Sequence, residues 1–286
     1  MRTIVFVFAL LFSTLSYAQV DQIKLDIEYL ADDAREGRGI GSDGLVDSQK
    51  YIVAALDKIG VPTFYQPVKF AGIDCNNLIA YIDGTHSETY IVVCAHLDHL
   101  GIRRGKIMNG ADDNASGSAV LLELARRFQA DKPARSVVFV WFTAEEVGII
   151  GSKVFCKNPF DGDFDKDNAQ PVFALNLDML GHLDTTPMVK RSWPKKDLAK
   201  IFEKYDFAPS VTYRGGRLPS DNRSFVMVKV PVITVNTDGS QLYHTPADDA
   251  DTLDYPGVQK LTNYAFDLAV QVSGRAKDYK IWGLDK

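Results

Sequence analysis

The sequence has only three cysteines in 286 residues, and no two of them form a Cys-x-x-Cys pair. This excludes a disulfide-rich scaffold and the common cysteine-based zinc motifs. Cys94 lies inside an apolar run, which is typical of a buried small side chain. Cys75 and Cys156 are then the only two cysteines that could form a disulfide, and the sequence leaves open whether they do.

Two further patterns are missing from the chain. No run of Lys and Arg is interleaved with aromatic residues, and the net charge is −5 with a pI of about 5.6, so we expect no nucleic-acid partner. No segment reaches the roughly 18 apolar residues that a transmembrane helix needs, so we expect no membrane span. The 46% of hydrophobic and 24% of charged residues are typical of a globular protein.

The amino-terminal segment has the pattern of an export signal. Arg2 precedes an apolar stretch over residues 4–12, and small residues follow up to Ala18. The apolar stretch is too short to span a bilayer. We therefore expect residues 1–18 to be a cleaved signal peptide and residues 19–286 to be a catalytic domain that is periplasmic or secreted.

The rest of the chain alternates between apolar strands and amphipathic helices, with no internal repeat and no linker. This alternation predicts a single α/β domain with a central mixed, mostly parallel sheet and helices on both faces. The expected strands are 77–82, 90–95, 136–142, 172–177 and 230–235, and the expected helices are 21–34, 45–59, 116–128 and 255–272.

Five short segments concentrate His, Asp and Glu where a strand has ended or in a polar break. In an open α/β sheet, ligands gather at the carboxyl ends of the strands, so we expect these segments to meet. Each segment alone is weak evidence, since a run such as Asp112-Asp113-Asn114 is typical of a helix N-cap. The segments are His96-Leu97-Asp98-His99, Gly110-Ala111-Asp112-Asp113-Asn114, Thr143-Ala144-Glu145-Glu146, Asn176-Leu177-Asp178 and Tyr243-His244-Thr245.

The donor types in these segments predict a site for two zinc ions. Zinc takes imidazole nitrogen and carboxylate oxygen ligands, and a pair of ions needs one bridging ligand and terminal ligands on each ion. Asp113 can bridge with its two oxygens, His96 and Asp178 can complete one ion, and Glu146 and His244 can complete the other.

Glu145 is the candidate general base. Its side chain is expected on the side opposite to that of Glu146, which places a free carboxylate beside the reacting water. The hydroxyl of Tyr243, next to His244, is a further candidate, since it can donate a hydrogen bond to an oxygen that gains negative charge during the reaction.

With these motifs, the chain resembles the co-catalytic two-zinc aminopeptidases, the secreted leucine-type enzymes of bacteria. Their clan also contains glutamate carboxypeptidases and glutaminyl cyclases, and the likeness runs from about Leu25 to the C-terminus. It implies a zinc-exopeptidase-like fold, peptide substrates with a free N-terminus, the same metal ligands and general base, and an Asp98 carboxylate that orients His96. The quoted positions are His96-x-Asp98-His99, Gly110 to Gly117, Glu145-Glu146-x-Gly148-x-x-Gly151-Ser152, Asn176 to Met179 and Tyr243-His244-Thr245.

Two features depart from the family pattern. Many relatives carry Ser-Asp-His before an aromatic residue, whereas here Ser220-Asp221 is followed by Asn222. Larger relatives contain an inserted protease-associated domain, and the compact spacing of this chain leaves no room for one.

Other activities of the same clan remain open. Glutaminyl cyclases commonly carry Trp before the last His and keep one zinc, whereas this chain has Tyr243 there. A carboxypeptidase would need arginines for the substrate carboxylate, and only Arg103 and Arg104 suggest such a cluster. A non-catalytic binding module on this fold would usually have lost ligands that are all retained here.

Overall fold

The computed structural model describes residues 22–160, 169–183, 187–191, 210–212, 220–237 and 240–274. The expected signal peptide, residues 1–18, lies outside the described residues and stays a prediction.

An eight-stranded sheet forms the centre of the molecule, with the strand order β1-β2-β6-β3-β7-β10-β8-β9. Two further short strands, β4 (Gly101–Arg103) and β5 (Lys106–Met108), form a separate hairpin. The strands of the sheet are β1 (Thr63–Phe70), β2 (Ile73–Ile82), β3 (His86–His96), β6 (Arg135–Phe142), β7 (Gln170–Leu177), β8 (Pro187–Arg191), β9 (Ser210–Thr212) and β10 (Val232–Thr237).

The four central strands run parallel, and the mixed, mostly parallel sheet is confirmed. β3 pairs in parallel with β6 and β7, and β7 pairs in parallel with β10. The antiparallel pairs are β1–β2, β2–β6 and β8–β10. The sequence analysis missed β1, which contains Pro67 and lies at the edge of the sheet, where a strand can contain a proline.

Helices cover both faces of the sheet, as the sequence predicts. Residues 22–30 form α1 and are followed by a 3-10 turn, Asp33–Arg38. The other helices are α2 (Asp43–Asp57), α3 (Gly117–Ala130), α4 (Ile150–Lys157), α5 (Asn222–Met227) and α6 (Tyr255–Gly274).

The two faces have separate hydrophobic cores. On one face, α1, α2, α3 and α6 pack against inward residues such as Val93 and Phe139. On the other face, Phe155 of α4 and Phe225 of α5 pack against Val140 of β6 and its neighbours. The sheet is therefore buried on both sides, which is why its central strands are apolar along their whole length.

All three cysteines are free thiols, so Cys75 and Cys156 do not pair. Cys94 is fully buried within β3, as its apolar neighbours predict. Among the described residues, no helix is both long and apolar enough to cross a bilayer.

Candidate metal centre

Three adjacent parallel strands deliver acidic and histidine side chains to one edge of the sheet. His96 is the last residue of β3, Asp178 directly follows β7, and Glu145 and Glu146 follow β6 after a short turn. Because these strands are neighbours with the same direction, their carboxyl ends meet at that edge. The five segments singled out in the sequence are brought together there.

Asp113 lies between two histidines that come from opposite ends of the chain. Its Oδ1 is 3.3 Å from Nε2 of His96, and its Oδ2 is 3.1 Å from Nε2 of His244. The two carboxylate oxygens thus face two different groups of side chains, which is the arrangement that a bridging ligand needs.

The donor atoms form two groups that share Asp113. One group contains His96, Asp113 and Asp178, and the other contains His99, Asp113, Glu146 and His244. Within each group, one donor atom from every residue lies within 4.8 Å of the others. Nε2 of His96 is 3.6 Å from Oδ1 of Asp178, and Nε2 of His244 is 3.2 Å from Oε2 of Glu146. All five residues proposed as ligands from the sequence are present.

His99 is a member of this centre to which the sequence analysis gave no role. Its Nδ1 lies 2.6 Å from Oε1 of Glu146 and 3.7 Å from Oδ2 of Asp113, and its side chain is fully buried. The residue stands in the quoted His-x-Asp-His segment, so its position was visible. Its contact with Glu146, 47 residues later, was not.

The charges of the centre fit divalent cations. Burial acts to raise the pKa of Asp113, but His244 and His96 outweigh it and hold that pKa well below its usual range. Burial acts to lower the pKa of His244, and its contacts with Asp113 and Glu146 instead raise it to about 10. Nε2 of His99 is buried without a hydrogen bond among the described residues. Buried imidazole nitrogens that face several carboxylates form a donor set that fits zinc.

Asp98 acts through a different contact from the one expected. Its carboxylate accepts hydrogen bonds from the backbone N–H groups of Glu145 at 3.1 Å and Glu146 at 3.4 Å. Nδ1 of His96 instead lies 3.0 Å from the backbone carbonyl oxygen of Asp98. Asp98 therefore orients the imidazole with its backbone and the two glutamates with its side chain. Burial raises the pKa of its carboxyl to about 6.

Glu145 lies beside the centre in a buried, acidic environment. Burial is the main cause that raises its pKa, to about 9; the nearby Asp221, Asp178 and Asp98 act in the same direction, and His96 acts against them. The residue before it, Ala144, has a φ of 56°, a left-handed conformation that is unusual for alanine. This bend turns the chain sharply after β6 and places the two glutamates at the sheet edge.

Tyr243 precedes His244 and is partly open to solvent. Its ring stacks on the imidazole of His244 with 3.7 Å between the centroids, and 52% of the residue is exposed. Partial burial, together with Asp113 and Glu146, raises the pKa of its phenol, so the hydroxyl stays protonated and can donate a hydrogen bond.

The Ser220-Asp221-Asn222 segment lies under the centre. Asn222 is buried, and its Nδ2 donates a hydrogen bond to Oγ1 of Thr234 at 2.6 Å. Burial raises the pKa of the Asp221 carboxyl to about 7. The Nδ2 of Asn222 is thus paired, whereas its Oδ1 is buried without a hydrogen bond among the described residues. The departure from the usual His leaves the metal-ligand groups intact.

Arg38 is a fully buried cation that donates hydrogen bonds to the end of α1, the loop after β3 and the loop before Asp113. Its guanidinium donates to the carbonyl oxygens of Leu97 at 2.9 Å, Asn109 at 2.7 Å and Gly110 at 2.7 Å, and also to that of Leu30. These carbonyls flank His96 and Asp113 in the chain. Arg38 therefore holds the two ligand-bearing loops against the amino-terminal segment, although it is far from both in sequence.

Asp248 holds the other side of the Asp113 loop. Its carboxylate accepts from the backbone N–H groups of Asp112 at 2.8 Å and Asp113 at 3.1 Å, and the residue is 1% exposed. Since Asp248 follows His244 by four residues, it links the His244 loop to the bridging carboxylate.

Replacing Asp248 with Asn should weaken zinc binding by about 10–100-fold, the usual effect of losing a partner that orients a ligand. The amide can accept only through one oxygen, and its NH2 group would face a backbone N–H. A zinc titration against a competing chelator measures this. Asp249→Asn is the matched control, because within the described part of the chain its carboxylate accepts a hydrogen bond from the Asn109 side chain and from no ligand-bearing loop backbone, and Asp249 is less buried. Equal zinc affinities for both variants would contradict the role given to Asp248.

Comparisons with known proteins agree with this geometry. The model of the family described as Peptidase family M28 matches residues 77–269. A protein of Trichophyton verrucosum named "Probable leucine aminopeptidase" is 29% identical over 238 residues, which cover 73% of this chain and 62% of that relative. The chain thus spans less than two thirds of the length of this curated relative.

Solved structures show the same fold. A zinc aminopeptidase from Bacillus subtilis superposes with a TM-score of 0.75 at 14% identity, covering 90% of this chain and 96% of that one. A glutaminyl cyclase from Bacteroides thetaiotaomicron gives a TM-score of 0.72 at 19% identity, covering 88% and 96%. Two different activities therefore occur on this architecture, and the side chains must decide between them.

Proposed function

Because this chain belongs to peptidase family M28, we propose that it is a zinc aminopeptidase that holds two ions and removes residues from the free amino end of peptides. The observation that carries the proposal is the pair of donor groups sharing Asp113. Asp113, His96 and Asp178 would hold one ion, and Asp113, Glu146 and His244 the other. His99 would hold the Glu146 carboxylate in place or bind the same ion.

The side chains around this centre can perform hydrolysis. When bound, zinc supplies Lewis acidity toward the scissile carbonyl and the attacking water. The pKa of Glu145, which burial otherwise raises to about 9, would be lowered beside two bound dications, so that its carboxylate accepts the proton of the water and later delivers it to the leaving amine. Tyr243, whose hydroxyl stays protonated, donates a hydrogen bond to the carbonyl oxygen as negative charge develops on it.

The requirement for a free amino group follows from the excess of carboxylates. Asp178 is 9% exposed, and Glu145 is nearby, so both can face a substrate ammonium. An acylated amine would lose the charge-assisted contact and leave these buried groups unpaired, which costs more than the lost attraction.

Glutaminyl cyclase is the second candidate, since a cyclase shares this fold. Two donor groups share Asp113, and each has enough ligands to hold an ion, which favours a two-ion peptidase. The residue before the last histidine is Tyr243, whereas cyclases commonly carry Trp there. A carboxypeptidase is less well supported, because only Arg103 and Arg104 suggest a cluster for the substrate carboxylate. A non-catalytic binding module is less well supported, because the centre retains Glu145 and every proposed ligand.

End-blocked peptides test the proposal. Acetylating the N-terminus of a peptide such as Leu-Gly-Gly should lower kcat/KM by at least about 100-fold, because a charge-assisted contact is lost and buried carboxylates remain unpaired. Mass spectrometry of the products, with and without a chelator, measures this. Equal cleavage of free and acetylated peptides would exclude an aminopeptidase. Ammonia release from amino-terminal Gln without peptide cleavage would instead identify a cyclase.

The proposal includes export of the protein. Residues 1–18 combine Arg2, an apolar stretch and a small residue at Ala18, which is the pattern of a cleaved signal peptide.

A further inference from the structure

A cavity of about 350 Å³ opens beside the candidate metal centre. His99 and Glu146 line its inner end, and Arg103 of the β4–β5 hairpin also lines it. The side chains of Ile40, Ile102 and Val147 form the apolar part of its lining. Ile102 is 53% exposed, so this side of the cavity is open to solvent. A volume of this size is typical of a small-ligand site. The cavity is continuous with the centre, so the part of a peptide that follows the scissile bond can enter it.

The hairpin carries an unusual concentration of positive charge for a protein with a net charge of −5. Arg103, Arg104 and Lys106 are all exposed, and none of them forms an ion pair with another described residue. Arg103 and Lys106 are direct cross-strand partners. Like charges in that position destabilise a hairpin, and a bound anion would relieve the repulsion.

The hairpin is also a rigid support for these charges. Its two turn residues, Arg104 and Gly105, have φ values of 52° and 75°, which is the pattern of a tight type I′ turn. The backbone of Gly37 packs against the carbonyl oxygens of Gly101 and Met108, at the base of the hairpin, with no room for a Cβ. The position of Arg103 at the cavity is therefore set by the fold.

We propose that Arg103 binds the free C-terminal carboxylate of short peptides, so that the enzyme prefers di- and tripeptides with both ends free. The inference rests on the proposed aminopeptidase function and names its substrate class. The ammonium end of such a peptide meets the carboxylates of the centre, and its carboxylate end meets the guanidinium. A guanidinium suits this task, because it can form two parallel hydrogen bonds to a carboxylate.

Glu36 also lines the cavity and carries the opposite charge. Its carboxylate repels the carboxylate of the substrate and limits the net attraction. This gives the proposal a second, independent consequence: removing the charge of Glu36 should strengthen binding of short peptides, whereas removing that of Arg103 should weaken it.

The test compares Leu-Gly-Gly with its C-terminal amide, and a Leu-initiated octapeptide with its amide, on the zinc-loaded protein. Amidation should lower kcat/KM of the tripeptide by about tenfold, mainly through KM, since the contact is made equally in ground and transition states. The octapeptide pair should differ less than twofold, because its carboxylate extends beyond the cavity.

Variants of the hairpin locate the effect. In the Arg103→Gln variant, the ratio of kcat/KM for free Leu-Gly-Gly to kcat/KM for its amide should fall to about one. In the Arg104→Gln variant, which changes a neighbour that does not line the cavity, this ratio should stay as in the unmodified protein. Glu36→Gln should lower the KM of the free tripeptide. Equal ratios for the two arginine variants, or a ratio of one in the unmodified protein, would overturn the inference and leave the aminopeptidase intact. If no peptide with a free N-terminus is cleaved, both proposals fail together.

Discussion

Replacing Glu145 with Gln should lower kcat by roughly 10²–10⁴-fold, the usual effect of removing a general base, with zinc content unchanged. Gln keeps the shape of the side chain but cannot accept the proton of the attacking water. The backbone contact of Glu145 with Asp98 does not involve the substituted group and should remain. Stopped assays with an aminoacyl reporter and metal analysis of the same sample measure both quantities.

Glu146→Gln is the matched control for this prediction. Its side chain differs from that of Glu145 only by position, but it contacts His99 and His244 in the centre. This variant should lose bound zinc together with its activity, and excess zinc should restore part of the rate. Near-normal turnover in Glu145→Gln, or loss of zinc from it, would contradict the role of the general base.

Replacing Asp113 with Ala should abolish binding of both ions, because both donor groups depend on this carboxylate. The unmodified protein should bind about two zinc ions per chain, the number expected for a co-catalytic site. The variant should bind close to none at the same free zinc concentration. Metal analysis after dialysis measures the difference, and one tightly bound ion in a fully active unmodified protein would favour the cyclase.

Thermal unfolding experiments give a second measure of the loss of zinc binding in the Asp113→Ala variant. A ligand at 1,000 times its Kd stabilises the folded state by about 4 kcal/mol, so zinc should raise the Tm of the unmodified protein by several degrees. The Asp113→Ala variant should show no zinc-dependent shift. Asp131→Ala is a suitable control, since Asp131 is exposed at the end of α3 and should leave the shift in place. A zinc-dependent shift of equal size in both variants would mean that the ions bind elsewhere.

The sheet and its long helices were predictable because their signals are local. A buried strand such as β6 is a run of apolar residues after its first two positions. In an amphipathic helix such as α3, apolar residues recur every three to four positions. The short hairpin β4–β5 and the edge strand β1 were missed. β4 and β5 have three residues each, and β1 has mixed polarity and contains Pro67. Their backbone pairing with a neighbouring strand, which composition does not show, makes them strands.

The sequence by itself determined the residue types of the centre. His96, Glu146 and Asp178 follow apolar runs, whereas Asp113 and His244 stand in polar breaks. Buried charges beside a core imply a cation that balances them. Glu146, His96 and Asp178 meet because β6, β3 and β7 are parallel neighbours; the alternating pattern predicts a parallel sheet, whereas the order of its strands is visible only in the structure.

Only the tertiary structure decided how the centre is held. Arg38 donates to the carbonyl of Gly110 across 72 residues, and Asp248 accepts from Asp112 across 136. Ala144, Met179 and His244 adopt left-handed backbone conformations, with φ values of 56°, 58° and 56°. None of the three is a glycine, so the sequence contains no local signal for these conformations. Contacts between distant segments and strained backbone depend on packing around the whole centre, and local composition does not encode them.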